Sequence, residues 1–483
     1  MIDMRPVGYV IGLLLCVLGL TMAGPLVADI AVGNGHWPVF LESATLCLAV
    51  GVLLSLACQG GMGGGGLTLR QTFLLTTLVW IVLPLFGSIP FMLGAPEADL
   101  TDALFEAMSG ITTTGSTVFT GLQDLPAGIQ LWRGILQWLG GIGIIVMAMV
   151  FLPELKVAGM QVFRSEAFET MGKILPRAAE IASGIAVFYV GLTVLCAICY
   201  ILSGMDTFSA TVHAMTTLST GGFANTDASF GAYGGAAHYV GTLFMILAAL
   251  PFVRYIQLAR GQAEPLWRDS QVRAFLLTIL VCALLIGASL ASYSHGFTEV
   301  AFRESLFNVV SIMSGTGYAS ADYMQWGPFP VAMFFFIGLI GGCAGSTACS
   351  VKIFRYQILF ACIGAQIRKI HAPHGVFTPR YEGRPITRDA LSSVMAFFVV
   401  FIVGIGIVSV LLTLTGLDAV TAVTGAATAL ANVGPGLGEH IGPAGNFAGL
   451  NDPAKWILTL SMMIGRLEML VVLVVVTRRF WQG

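Results

Sequence analysis

The sequence predicts an all-α, polytopic membrane protein built from four pseudo-repeats, and three observations carry that expectation. Of the 483 residues, 56% are hydrophobic and only 10% charged, against roughly 25% charged in soluble domains, and the mean hydropathy is +0.87. Apolar stretches of about 20 residues, long enough to cross a bilayer, recur along the chain. A twelve-residue pattern is repeated four times without a gap: LFEAMSGITTTG to Gly115, TVHAMTTLSTGG to Gly222, LFNVVSIMSGTG to Gly317 and VTGAATALANVG to Gly434. Those glycines fall roughly 100 residues apart, so the repeat organises everything else.

In chain order, spans near 8–32 and 38–58 form a two-helix extension over 1–70, its first span read as a retained anchor. Repeats follow over 71–165, 166–268, 269–385 and 386–483. Each has a span, a short helix with its glycine turn, then a second span. The spans are placed at 72–94 and 129–152, 183–204 and 238–260, 270–292 and 329–362, 388–414 and 454–477. The four short segments cannot cross a bilayer and fit re-entrant helices dipping in from one face. Asp99, Asp206 and Asp418 stand at matching positions before the glycines of copies one, two and four, where an acid suits a helix start. Copy three has Ala301 there, with Glu299 close by.

Basic residues orient the topology. All but Arg133, Arg303, Lys455 and Arg466 of the 23 Lys and Arg residues fall on or near one side. The positive-inside rule makes that side cytoplasmic, with both termini and the links between repeats on it, and the glycine turns entering from outside. The run Gly60 to Gly66 is then a cytoplasmic connector without a phosphate-binding lysine. A net charge of −2 gives no reason to expect a nucleic-acid partner, and lipid is the expected surroundings. The nine cysteines sit mostly in apolar runs, where packing is their role. Histidines are scattered, and His371 and His374 have metal-like spacing without further ligands. No nucleophile has a base, so an enzyme is not expected and no catalytic or cofactor-binding residue is assigned.

Backbone lacking helix or sheet partners is tolerated at membrane depth only in protein or against water. Four such turns can surround one axis and aim carbonyl oxygens at it, replacing a cation's hydration shell. Glycine allows the backbone conformations that a carbonyl ring needs, and the partly negative C-termini of the short helices favour a cation.

At these residues the chain resembles the potassium-translocating subunits of the Trk/Ktr/HKT superfamily, specifically the Trk type with two extra N-terminal helices. Thr113-Thr114-Gly115, Thr220-Gly221-Gly222-Phe223, Gly315-Thr316-Gly317-Tyr318 and Asn432-Val433-Gly434-Pro435-Gly436 carry the match. The resemblance implies helix, pore helix, filter loop and helix repeated around one central pore. It implies K⁺ held by the backbone carbonyls of Thr114, Gly221, Thr316 and Val433, with Gly115 favouring potassium. It further implies uptake across a bacterial inner membrane, a homodimer, and a cytosolic nucleotide-binding Trk regulatory subunit near the links 153–182 and 363–388.

The run from Gly338 to Ser350 interrupts a hydrophobic segment too long for one span. A broken helix crossing the conduction path fits it, matching the family's intramembrane loop, with Gly338, Gly341, Gly342, Gly345 and Lys352 as gate residues. Arg466, a charge in the last span, is the second gate candidate. The competing expectation is an ion-coupled secondary transporter, a K⁺/H⁺ or Na⁺ symporter without a continuous channel, since carriers also use repeats and broken helices.

Overall fold

The computed structural model describes residues 3–61, 67–150, 178–293 and 298–482. The link expected over 153–182 lies outside these residues up to 177, as does most of the Gly60–Gly66 run. Among the described residues the architecture is helical, with one two-stranded ribbon pairing Arg380–Tyr381 with Arg384–Pro385. Among the described residues, six helices are long and apolar enough to cross a membrane: Arg5–Val32, Trp37–Cys58, Leu69–Leu93, Ala182–Leu202, Ser270–Ser292 and Arg388–Leu414.

The two N-terminal helices approach closely because small residues face each other. A Cβ on Gly51 would lie 2.8 Å from both the Gly12 carbonyl oxygen and Cys16 Sγ, which is how small residues join membrane helices. Buried Asp29 docks this pair onto repeat one. Its carboxylate accepts from Gly128 N at 2.7 Å and Asn34 Nδ2 at 2.7 Å and contacts His36 Nδ1 at 3.1 Å, while His36 Nε2 accepts from Ala95 N at 2.9 Å.

The short helices are Leu100–Ile111, Thr207–Leu218, Glu299–Ser314 and Ala419–Ala431. Asp99, Asp206 and Asp418 cap the first, second and fourth, accepting backbone N–H bonds from Asp102, Ser209 and the Val420 and Thr421 pair. The third departs from the pattern. Thr298 caps it through Ala301 N, and it begins earlier, with Glu299 in its first turn.

Two second spans differ from the single helices expected. In repeat two, Gly235–Ala249 and Phe252–Ala259 meet at 92°. Pro251 explains the break, having no N–H to continue the ladder. In repeat four, Asp452–Arg466 and Leu470–Val476 meet at 106°, around Glu468 and Met469, both at positive φ (60° and 42°). The second span of repeat three is split into Pro328–Gly338 and Ile353–His371 by the loop between them.

Candidate ion pathway

Each short helix ends in the same way. Thr113, Thr220, Gly315 and Asn432 take left-handed φ of 52°, 51°, 78° and 53°. The next residue's N–H in each case reaches back to the last turn: Thr114 to Ser109 O, Gly221 to Thr216 O, Thr316 to Ser311 O and Val433 to Thr428 O, at 2.9, 2.9, 2.9 and 3.1 Å. This capping satisfies carbonyls that a helix end would leave orphaned. Two residues after the first left-handed position comes the second: Gly115, Gly222, Gly317 and Gly434, with φ of 88°, 81°, 82° and 106°. Left-handed backbone costs a side chain about 1 kcal/mol or more, so glycine here answers a conformational demand.

It answers a spatial one as well. A Cβ on Gly115 would collide with the Gly221 carbonyl oxygen, one on Gly222 with that of Thr316, and one on Gly317 with that of Val433. A Cβ on Gly434 would stand 2.7 Å from the Thr114 oxygen. Each glycine therefore faces the carbonyl of the next repeat, and repeat four faces repeat one, so the four turns form a closed ring. Above it opens a cavity of about 310 Å³ lined from all four repeats, including Gly115, Gly222, Gly317 and Gly434.

The loop between Pro328–Gly338 and Ile353–His371 packs against the helix ends of this ring. Cys349 N donates to Ser314 O at 3.3 Å and Ser350 N to Ala431 O at 2.8 Å. Its other side uses the carbonyls that the break at Pro251 frees: Cys343 N donates to Ala249 O and Thr347 N and Oγ1 to Ala248 O, at 3.0, 3.3 and 2.9 Å. Gly341 and Gly342 fit because a Cβ on either would collide with the loop's return at Cys349 or Ala348. Gly345 has φ of 74° and accepts from Phe252 N. Gly338 closes the preceding helix, and Lys352 Nζ bonds the Ala348 carbonyl.

The four cations outside the basic side resolve unevenly. Arg133 pairs with Glu106 at 2.7 Å, Arg303 with Glu299 at 2.8 Å and Lys455 with Asp102 at 2.5 Å. Arg466, buried at 4% exposure, forms no such pair among the described residues. It donates to Cys349 Sγ at 3.0 Å and Gly140 O at 3.4 Å, and its Nε has no partner. Neighbouring Glu468 pairs instead with Arg355, whose guanidinium stacks on Phe397 at 3.8 Å.

The full length of the chain matches known proteins. Residues 36–482 fit the family model described as "TrkH: Cation transport protein". The chain belongs to the TrkH family. It is 44% identical to the Trk system potassium uptake protein TrkI of Halomonas elongata, over 99% of this chain and 97% of that one. It is 34% identical to the Trk system potassium uptake protein TrkH of Escherichia coli K12, over 99% of both. The crystal structure of the potassium transporter TrkH from Vibrio parahaemolyticus superposes with a TM-score of 0.90 at 31% identity, covering 100% of each chain. This TrkH-family chain is a multi-pass membrane transporter and not an enzyme.

Sequence reasoning missed several residues around the ring. Cys349 passes for packing until the loop is folded. Glu106, Arg133 and Gln137 lie behind the turns of repeats one and two. The one signal for Arg133 is its place among the cations that depart from the positive-inside pattern.

Proposed function

We propose that this chain takes up potassium ions across the cytoplasmic membrane through the four-turn ring. The carbonyls of Thr114, Gly221, Thr316 and Val433 replace part of the ion's hydration shell. Thr113, Thr220, Gly315 and Asn432 set the left-handed entry to each turn, and Gly115, Gly222, Gly317 and Gly434 keep the centre free of side chains. The observation that carries this reading is the closed succession in which every ring glycine faces the next repeat's oxygen. The names of the TrkI and TrkH relatives, potassium uptake proteins all, support potassium as the cargo.

The loop of repeat three, with Gly338, Gly341, Gly342, Gly345 and Lys352, is the gate, and Arg466 is its electrostatic latch. A cation facing the path repels K⁺ and lowers conduction. Both termini face the cytoplasm. The chain works as a homodimer on a cytosolic nucleotide-binding Trk regulatory subunit. Docking in or near the links 153–182 and 363–388 is supported, for the second link, by exposed Ile367, Ile370 and Val376 beside Arg368 and Lys369.

Flux through purified protein in liposomes tests this, with K⁺, Rb⁺ and Na⁺ supplied separately. The channel reading expects K⁺ and Rb⁺ to exceed Na⁺ and single-channel currents to be resolved. The symport reading draws on the three interrupted spans, a feature of carriers. It expects K⁺ flux to require a H⁺ or Na⁺ gradient and to yield no unitary currents.

A further inference from the structure

Gln137 is fully buried on Ala127–Val150, one helical turn beyond Arg133 and on the same face. Its carboxamide spans the turn of repeat two. Nε2 donates to the Gly221 carbonyl oxygen at 2.6 Å, and Oε1 accepts from Phe223 N at 3.0 Å. These partners settle the amide's orientation, because a backbone carbonyl brings no proton and a backbone N–H no lone pair. The two bonds straddle Gly222 and so hold its left-handed conformation.

Gly221 O is one of the four ring oxygens, and it differs from the others. Among the described residues, no side chain donates to the carbonyls of Thr114, Thr316 or Val433, whereas Gly221 O receives a short bond from Gln137. A carbonyl already accepting a proton offers a weaker field on its free side and is restrained from moving inward. Weak, fixed ligands handicap the smaller ion most, since it surrenders the more tightly held hydration shell and needs the closer approach.

We propose that Gln137 is a specificity-determining positioning residue that tethers the Gly221 carbonyl and thereby disfavours Na⁺ relative to K⁺ in the ring. The inference rests on the reading of the ring as the ion filter. Arg133 and Glu106 complete the tether, since Arg133 Nη1 donates to Ala224 O at 2.8 Å and its guanidinium covers the Phe223 ring at 4.1 Å.

The test is the K⁺-to-Na⁺ flux ratio of the full chain in liposomes, for Gln137→Leu, Gln137→Glu and Gly222→Ser. Gln137→Leu removes both bonds. Gln137→Glu keeps the acceptor for Phe223 N, loses the donor to Gly221 O when its carboxyl is ionised and regains one when it is protonated, so its ratio is read across pH; it is near enough in shape to decide the matter should the leucine variant not fold. Both are expected to lower the ratio by roughly threefold to tenfold, the span that one hydrogen bond sets. A ratio unchanged at every pH in an inserted, monodisperse Gln137→Glu protein overturns the inference, and so does an equal fall in K⁺ and Na⁺ flux, which a merely structural role would produce. If Gly222→Ser alters the ratio while the Gln137 variants do not, the tether fails and the ring reading stands. If none of the three alters it, the ring reading itself fails.

Discussion

Arg466 Nη1 donates to the Cys349 thiol at 3.0 Å, and that sulfur stands 3.5 Å from Thr113 Oγ1. The broken last span, the loop of repeat three and the turn of repeat one thus meet at a single side chain. Because Arg466 is buried and, among the described residues, has no carboxylate partner and an orphan Nε, its retention costs stability. Arg466→Ala is therefore expected to raise Rb⁺ flux in liposomes several-fold with no loss of thermal stability. Slower flux from a properly inserted variant would assign the arginine to the scaffold.

The loop itself is held by borrowed carbonyls. Deleting Gly341 to Ser350 should give high flux that no longer responds to a regulator, read as uptake in a strain lacking other potassium systems. A gentler version is Thr347→Val, which removes the bond from Oγ1 to Ala248 O at about 1 kcal/mol. It should raise basal uptake by a smaller factor. Basal uptake equal to wild type in both variants would show that the loop does not limit conduction.

The Glu106–Arg133 pair ties together the chains that leave turns one and two. Glu106 accepts from Thr117 Oγ1 and Val118 N, and Arg133 reaches Ala224 O. Removing one member strands a buried charge. Glu106→Ala should therefore destabilise the protein by about 3–5 kcal/mol, seen as a fall in melting temperature in detergent. The double variant Glu106→Leu with Arg133→Met should recover much of it. Additive losses would mean that the pair is not coupled.

Asp418 gives a pH dependence of definite sign. The hydroxyl and backbone N–H of Thr421 hold its carboxyl below the ordinary value of 3.8. Its folded pKa is depressed, so its contribution is complete above the unfolded value and is lost as pH falls through the folded one. Asp418→Ala should cost about 1 kcal/mol at neutral pH and progressively less in acid. Asp418→Asn should retain the cap and flatten the acid limb of the unfolding curve. An acid limb identical in wild type and Asp418→Asn refutes the assignment.

Much of this was legible because it recurs. Four aligned glycine turns, three acidic caps and a run of small residues are local patterns, and local patterns dictate local structure. What stayed hidden depends on tertiary partners. Pro251 announces a possible break, but nothing in the sequence says that Cys343 and Thr347 take the freed carbonyls. The bend at Glu468 and Met469 has neither proline nor glycine to mark it. Gln137 reads as one polar residue in an apolar helix until Gly221 is set beside it. The Thr298 cap breaks the pattern of acidic caps because the third helix begins earlier, at Glu299.

The ring glycines themselves rank by what their side chains would strike. Gly222 and Gly317 are the most confined, each with a neighbouring repeat's carbonyl where a Cβ would sit. Gly434 has more room, with the Thr114 oxygen at 2.7 Å, but the largest φ, 106°. Alanine at Gly222 or Gly317 must push a ring oxygen aside, which both widens the site and disorders it, so K⁺ over Na⁺ discrimination should fall towards unity. Gly434→Ala is expected to keep partial discrimination at reduced flux. Since the strain of left-handed alanine is about 1 kcal/mol in every case, comparable melting temperatures across the three variants would separate selectivity from stability. Equal discrimination in Gly222→Ala and wild type would remove these glycines from the ion's path.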